Sequence, residues 1–234
     1  MSGWKAMSGW KAMNTEALLG LLHLSSPALP VGAFAYSQGL ETAIERQWCF
    51  DRESTCHWIS QLLTEGMGRL DVPVFFRLYD AFQSDDRPSV EHWNRQLLAF
   101  RETRELYDED CQVGKAFKIW LTSLFPEESR ADWLEMPTQA AMFALSSLCH
   151  GMKKDTAAIG LLWSWCENQV TAATKAVPLG QTDAQKILQH LASEIGTVIE
   201  SAKTIHDHKL GNNLVHYAMA SSWHEHQYSR LFRS

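Results

Sequence analysis

The 234-residue chain is poor in the features that mark a disulfide-stapled or metal-ribbon protein. Its five cysteines (Cys49, Cys56, Cys111, Cys149, Cys166) are odd in number, widely spaced and never arranged as C-x-x-C, so neither a disulfide framework nor a zinc ribbon is encoded. Set mostly among apolar neighbours, they are expected as small buried hydrophobes of a reducing compartment, which makes the cytoplasm the expected location. Basic charge is short as well. Lys and Arg number 21 against 27 Asp and Glu, a net charge of −6, and nothing drives general phosphate binding or points to nucleic acid as a partner. No G-x-x-x-x-G-K-[ST] and no strand-borne G-x-G-x-x-G occurs, so the backbone cradle that nucleotide phosphates need is missing.

Long apolar runs are also absent. The 24 residues 17–40 carry no formal charge, but His23, Ser25, Ser26, Pro27, Pro30 and Gly32 break them and leave only residues 17–24, too short to span a bilayer. No membrane association is expected. Lys5 and Lys11 before this stretch, and Ala33-Phe34-Ala35 after it, outline a secretory signal; the brevity of the stretch, His23 and Glu16 weigh against one. The hexapeptide MSGWKA at residues 1–6 recurs unchanged at 7–12. Such a tandem copy is a start-site feature rather than a solenoid, and the folded domain is expected over residues 14–234.

What is present is helical periodicity. Ile59, Leu62, Leu63, Met67 and Leu70 follow helical spacing until Pro73 interrupts them, and Phe75, Leu78, Tyr79 and Phe82 repeat it up to the polar turn at residues 84–88. Val90, Trp93, Leu97 and Phe100 open a long helix that runs, with a break near Gly114, towards Pro126. Residues 137–149 hold strong helix formers before Gly151. Asp155 suits an N-cap for a helix that Pro178 ends. Thr182 and Gln185 form a T-x-x-Q capping box ahead of an apolar stripe from Ala184 to Ala202. Only residues 72–79 resemble a strand, and their context favours helix. These patterns predict an all-α, single-domain bundle of seven or more helices. The ten tryptophans are expected mostly in the core, with an adaptor able to keep some for a partner.

Chemistry is thinly marked. Residues 35–39 (AYSQG) resemble a nucleophile elbow around Ser37, but the strand such an elbow requires is not visible. A serine hydrolase is therefore one alternative. His206, His208, His216, His224 and His226 cluster late in the chain and suggest a second, a nickel or zinc carrier, although no H-E-x-x-H or Cys/His quartet completes a shell. Asp108-Glu109-Asp110 reads as a solvated helix face. No cofactor, catalytic residue or metal ligand is assigned.

Three segments ask for more than a solvated role: residues 26–41 (SPALPVGAFAYSQGLE), residues 175–188 (KAVPLGQTDAQKIL) and the tail 228–234 (YSRLFRS), whose aromatic and arginine content is that of interface anchors. Together they resemble the urease accessory protein UreF family. Its P-[VI]-G-x-[FY]-x-[YH]-S-x-G-L-E signature is similar to residues 30–41, its V-P-L-[GS]-Q-[TN]-[DA]-[GA]-Q-[RK]-I-L signature to 177–188, and its H-E-x-x-Y-S-R-L-[FY]-x-S ending to 224–234. The resemblance implies an all-helical, homodimeric, non-enzymatic chaperone of nickel metallocentre assembly that joins UreD (UreH), the GTPase UreG and apo-urease. It implies partner-binding roles for Pro30, Gly32, Phe34, Tyr36, Ser37, Gly39 and Glu41, for Lys175, Pro178, Gly180, Gln181 and Gln185, and for His224, Glu225, Tyr228, Ser229, Arg230, Phe232 and Arg233. Trp223 departs from the pattern, where many relatives carry a basic residue, and His226 is an added histidine.

Overall fold

The computed structural model describes residues 14–212 and 214–234, and the duplicated leader lies outside them. Among the described residues every regular element is helical: α1 (Thr15–Leu24), α2 (Leu40–Glu45), α3 (Arg52–Gln61), a π-helical segment (Leu62–Asp71), α4 (Val72–Gln83), α5 (Arg87–Ala99), α6 (Arg104–Leu124), α7 (Gln139–Cys149), α8 (Lys154–Ala176), α9 (Gln181–Ala202) and α10 (Val215–His224). The expected all-α class is what the chain adopts, and the strand-like residues 72–79 are helix.

The centre is built from α4 and α7, which are apolar on nearly every side. Val72, Val74, Phe75, Leu78 and Phe82 of one pack with Ala141, Met142, Phe143, Ala144 and Leu145 of the other, all buried. A helix apolar all round must be enclosed by neighbours rather than lie at the surface. The long α8 touches α1, α2, α7 and α9, while α9 turns Ile187, Leu191, Ile195, Val198 and Ile199 inward, the stripe anticipated from periodicity. Trp120 and Trp165 are core residues. Trp48 instead joins a surface cluster, its ring 6.0 Å from Trp58, 5.8 Å from Trp223 and 5.3 Å from His216. All five thiols are free, and burial pushes those of Cys49, Cys149 and Cys166 up to about 12, so none is a ready nucleophile. No described helix is long and apolar enough to cross a membrane.

Three boundaries differ from the sequence expectation, each for a physical reason. Pro73 does not end its helix, because α3 widens into the π segment and Val72 donates its N–H to the Met67 carbonyl, five residues back. That shift places the proline in the first turn of α4, where its missing donor and its ring are tolerated. The break anticipated near Gly114 falls instead between α5 and α6. There Arg101 turns inward, its guanidinium 2.6 Å from Asp71 and 2.7 Å from Asp110, and Thr103 caps the next helix by accepting from the Leu106 N–H. Asp155 lies within the first turn of α8, whose N-cap is Lys153.

Gly114 stays inside α6 because the backbone before α7 crosses it: a Cβ there would lie 1.8 Å from the Pro137 carbonyl oxygen. Helix propensity favours Gly114→Ala by about 1 kcal/mol, whereas forced repacking against backbone costs about 3 kcal/mol. The clash wins. A net loss of about 2 kcal/mol is expected, seen as a lower urea midpoint at unchanged m-value; an unchanged or raised midpoint would show that the α6–α7 approach is looser than described.

Candidate functional site

Residues 30–41 form an irregular link between α1 and α2. After exposed Pro30 and half-buried Gly32, a 3-10 turn over Ala33–Ala35 leaves Phe34 58% exposed. Tyr36 then turns inward and donates its hydroxyl to Gln112 Oε1 at 2.8 Å. Gln38 and Gly39 follow in the left-handed region, at φ 54° and 77°. A side chain at Gly39 would also meet the Ser221 backbone nitrogen at 3.1 Å, so both the turn and the close passage of α10 require glycine.

Ser37 is fully buried, and its hydroxyl is committed on both sides. It donates to the Ser234 main-chain oxygen at 2.5 Å and accepts from the Glu41 N–H at 3.3 Å, while the Ser37 N–H reaches the same Ser234 oxygen at 2.7 Å. No strand precedes it and no histidine is among its partners. This is a docking turn, not a nucleophile elbow.

The last eleven residues, 224–234, close over that turn as a strap. His224, 0% exposed, stands between two carboxylates, Nδ1 at 2.7 Å from Glu105 and Nε2 at 3.3 Å from Glu41. Glu41 also accepts the Leu231 N–H at 2.7 Å and the Phe232 N–H at 3.0 Å, and Glu105 accepts from Arg230 at 2.6 Å. Arg233 donates its N–H to the Ala35 carbonyl at 2.9 Å. Phe232 fills a small second core with Leu40, Ala43, Cys49, Ala172 and Ala173, and Lys175 Nζ sits 5.6 Å from the centre of its ring, close enough for a cation–π contact.

Beneath Ser234 lies Glu109, its Oε2 accepting the Ser234 hydroxyl at 2.6 Å and its Oε1 the Gln38 amide at 2.7 Å. The Gln38 carbonyl oxygen in turn accepts from Trp165 Nε1 at 2.8 Å, which fixes the amide's orientation. Burial pushes the Glu109 carboxyl up to about 7, against the opposing pull of the Ser234 and Gln38 hydrogen bonds and of Arg101. Burial likewise raises the Tyr36 phenol.

The middle segment contributes its first half to this region. Val177 is buried and Leu179 packs on the second core, while Pro178, Gly180, Gln181 and Gln185 face outward. The expected capping box does not form. Gly180 is the N-cap of α9, without a side-chain cap, and its carbonyl accepts the Asp183 and Ala184 N–H groups; Thr182 is already inside the helix.

The nineteen residues singled out from sequence therefore divide by exposure. Tyr36, Ser37, Gly39, Glu41, His224 and Phe232 are buried and bind the chain to itself, with half-buried Glu225 accepting the Glu105 N–H. Phe34, Lys175, Ser229, Arg230, Arg233 and Tyr228 face solvent, the last at 106% exposure, and so does Leu231 at 71%, a residue not among the nineteen. Sequence reasoning missed Gln38, Glu105 and Glu109, and it took residues 108–110 for a solvated face, of which Glu109 and Asp110 are buried. Their signal was spacing: Glu105 and Glu109 are four residues apart and share a helix face. Of the late histidines, His206 and His208 stack at 5.8 Å on the surface, and no three His, Cys, Asp or Glu side chains gather into a metal-sized group among the described residues.

The family model described as UreF matches residues 50–192. Relatives named "Urease accessory protein UreF" include those of Chromohalobacter salexigens, 42% identical over 93% of this chain and 95% of the relative, and of Hahella chejuensis, 44% identical over 93% and 98%. The relative so named in Teredinibacter turnerae is 45% identical over 93% of this chain and 98% of its own length.

Glu41 holds the strap through charge-assisted hydrogen bonds, each worth about 1.5–3 kcal/mol. Replacing it by glutamine removes the charge and sets an amide donor against the strap N–H groups. In Glu41→Gln, tryptic cleavage after Arg230 is expected to quicken by about tenfold or more while far-ultraviolet circular dichroism stays helical. Unchanged cleavage would mean that the strap is held elsewhere.

Proposed function

The chain belongs to the UreF family of urease accessory proteins, and from that premise we propose that it is a non-catalytic adaptor in which one domain, residues 14–234, joins UreD (UreH) to the GTPase UreG so that nickel reaches apo-urease. It works in the cytoplasm as a homodimer, with nickel as cargo of the assembly. The observation that carries this reading is the meeting of all three signature segments in one place, buried residues inward and aromatic or basic residues outward. A chain whose business is positioning partners needs a rigid platform under exposed anchors, because ordering anchors only on binding would weaken the contact.

The strap is the UreD-facing element and the Phe34 turn faces UreG or the dimer partner. Tyr228, Leu231 and Phe34 have the size and exposure of interface anchors. Arg230 is engaged by Glu105 in the isolated chain, which favours scaffolding over donation of an arginine to a transferring phosphoryl group. The buried Ser37 hydroxyl and the dispersed histidines leave the hydrolase and metal-carrier alternatives without a geometric basis in the described residues.

The test is co-purification. Replacing Tyr228 and Leu231 together by alanine removes two exposed apolar side chains and touches none of the strap's internal hydrogen bonds. UreD capture is expected to fall by about tenfold or more, at roughly 1–2 kcal/mol for each anchor, with the melting temperature unchanged. Full retention of UreD by the double variant would remove the strap from the interface.

A further inference from the structure

We propose that Glu109 is a proton-operated latch for the C-terminal strap, holding residues 231–234 against the Ser37 turn when its carboxyl is protonated and loosening them when it is ionised. The geometry comes first. Glu109 lies buried beneath the strap's last described residue and joins the Ser234 hydroxyl to the Gln38 amide. Among the described residues it forms no ion pair. Arg101, the guanidinium facing it, is committed to Asp71 and Asp110, and Asp110 adds like charge from the same helix. Tyr36 from the irregular link and Tyr217 from α10 face it as well, both held neutral by burial. Arg233 lies beside Tyr36, whereas His224 and Arg230 are engaged by Glu41 and Glu105 one turn away.

An ionised carboxylate in this position has two neutral donors and no counter-ion, which is a poor exchange for water. Protonation removes the charge without losing the contact, since the Ser234 hydroxyl accepts a hydrogen bond as readily as it donates one. The sign follows from linkage. With its carboxyl raised from the ordinary 4.5 to about 7 when the strap is down, the docked state binds the proton more tightly than the open one, so docking strengthens below pH 7 and weakens as pH rises through it. Between pH 6 and pH 8 the docking equilibrium should fall by about tenfold. Opening uncovers the apolar seat of Phe232 and frees Arg230 and Arg233. The device acts within the isolated chain, and its operation is independent of which partner takes the strap.

Amide hydrogen exchange on the full chain tests this. After correction for the intrinsic pH dependence of exchange, protection of the Leu231 and Phe232 amides should drop about tenfold from pH 6 to pH 8, while the Ala144 amide in α7 keeps its protection. In Glu109→Gln the strap should stay equally protected across that range. Two results overturn the latch: strap protection that is flat with pH in the unaltered chain, or a pH-dependent loss of the same size persisting in Glu109→Gln.

Discussion

A carboxyl group taken out of water must find hydrogen-bond partners, and the architecture around the strap follows from that requirement being met three times. Glu41 collects two backbone N–H groups and an imidazole nitrogen, Glu105 an imidazole and a guanidinium, and Glu109 a hydroxyl and an amide. Two of these carboxylates stand one turn apart on α6 and the third begins α2. Their donors come from the chain's last residues and from the Ser37 turn. Removing the donors of Glu41 or Glu105 would leave buried charge without compensation, a loss larger than the net worth of the bonds themselves. The beginning, middle and end of the chain are thereby made to fold as one unit.

The helical body provides the fixed geometry that such a polar knot requires. Buried ion pairs of Arg101 with Asp71 and Asp110 tie the π segment, the α5–α6 break and α6 together. Burial opposes the guanidinium charge, but the two aspartates outweigh it and hold Arg101 firmly protonated. Asp110 also accepts the Gln139 N–H at the start of α7, so the same charges that end one helix begin another. An ion pair of this kind adds little net stability compared with apolar packing. Its contribution here is one of register, since Arg101 has its partners only if α6 begins where Thr103 caps it.

The signature residues thus have two unlike tasks in adjacent positions. Ser37, Glu41, His224 and Phe232 hold the platform together, while Phe34, Tyr228 and Leu231 are exposed on its outer side. An adaptor gains from this division because rigid support lowers the entropy lost when the outer side chains are covered. On the proposed reading, a substitution at a buried signature position can disturb binding without touching a partner.

Hydrophobic spacing and the placement of proline and glycine made the helical class, the α9 stripe and the end of α8 at Pro178 readable from the residues alone, because those features depend on local periodicity. The three signature segments were readable too, as unusual composition and as a family likeness. The side-chain neighbours of those segments were not. Glu109 reads in sequence as one acid in an acidic run, and only the burial of one face of α6 separates it from Asp108, which pairs with Arg104 at the surface. Pro73 reads as a stop, and only packing of the π segment shows how a helix continues through it. Local sequence fixes which helices form, since that free energy comes from neighbours a few residues away; which carboxylate lies buried beneath a strap 125 positions distant is decided by tertiary contact alone.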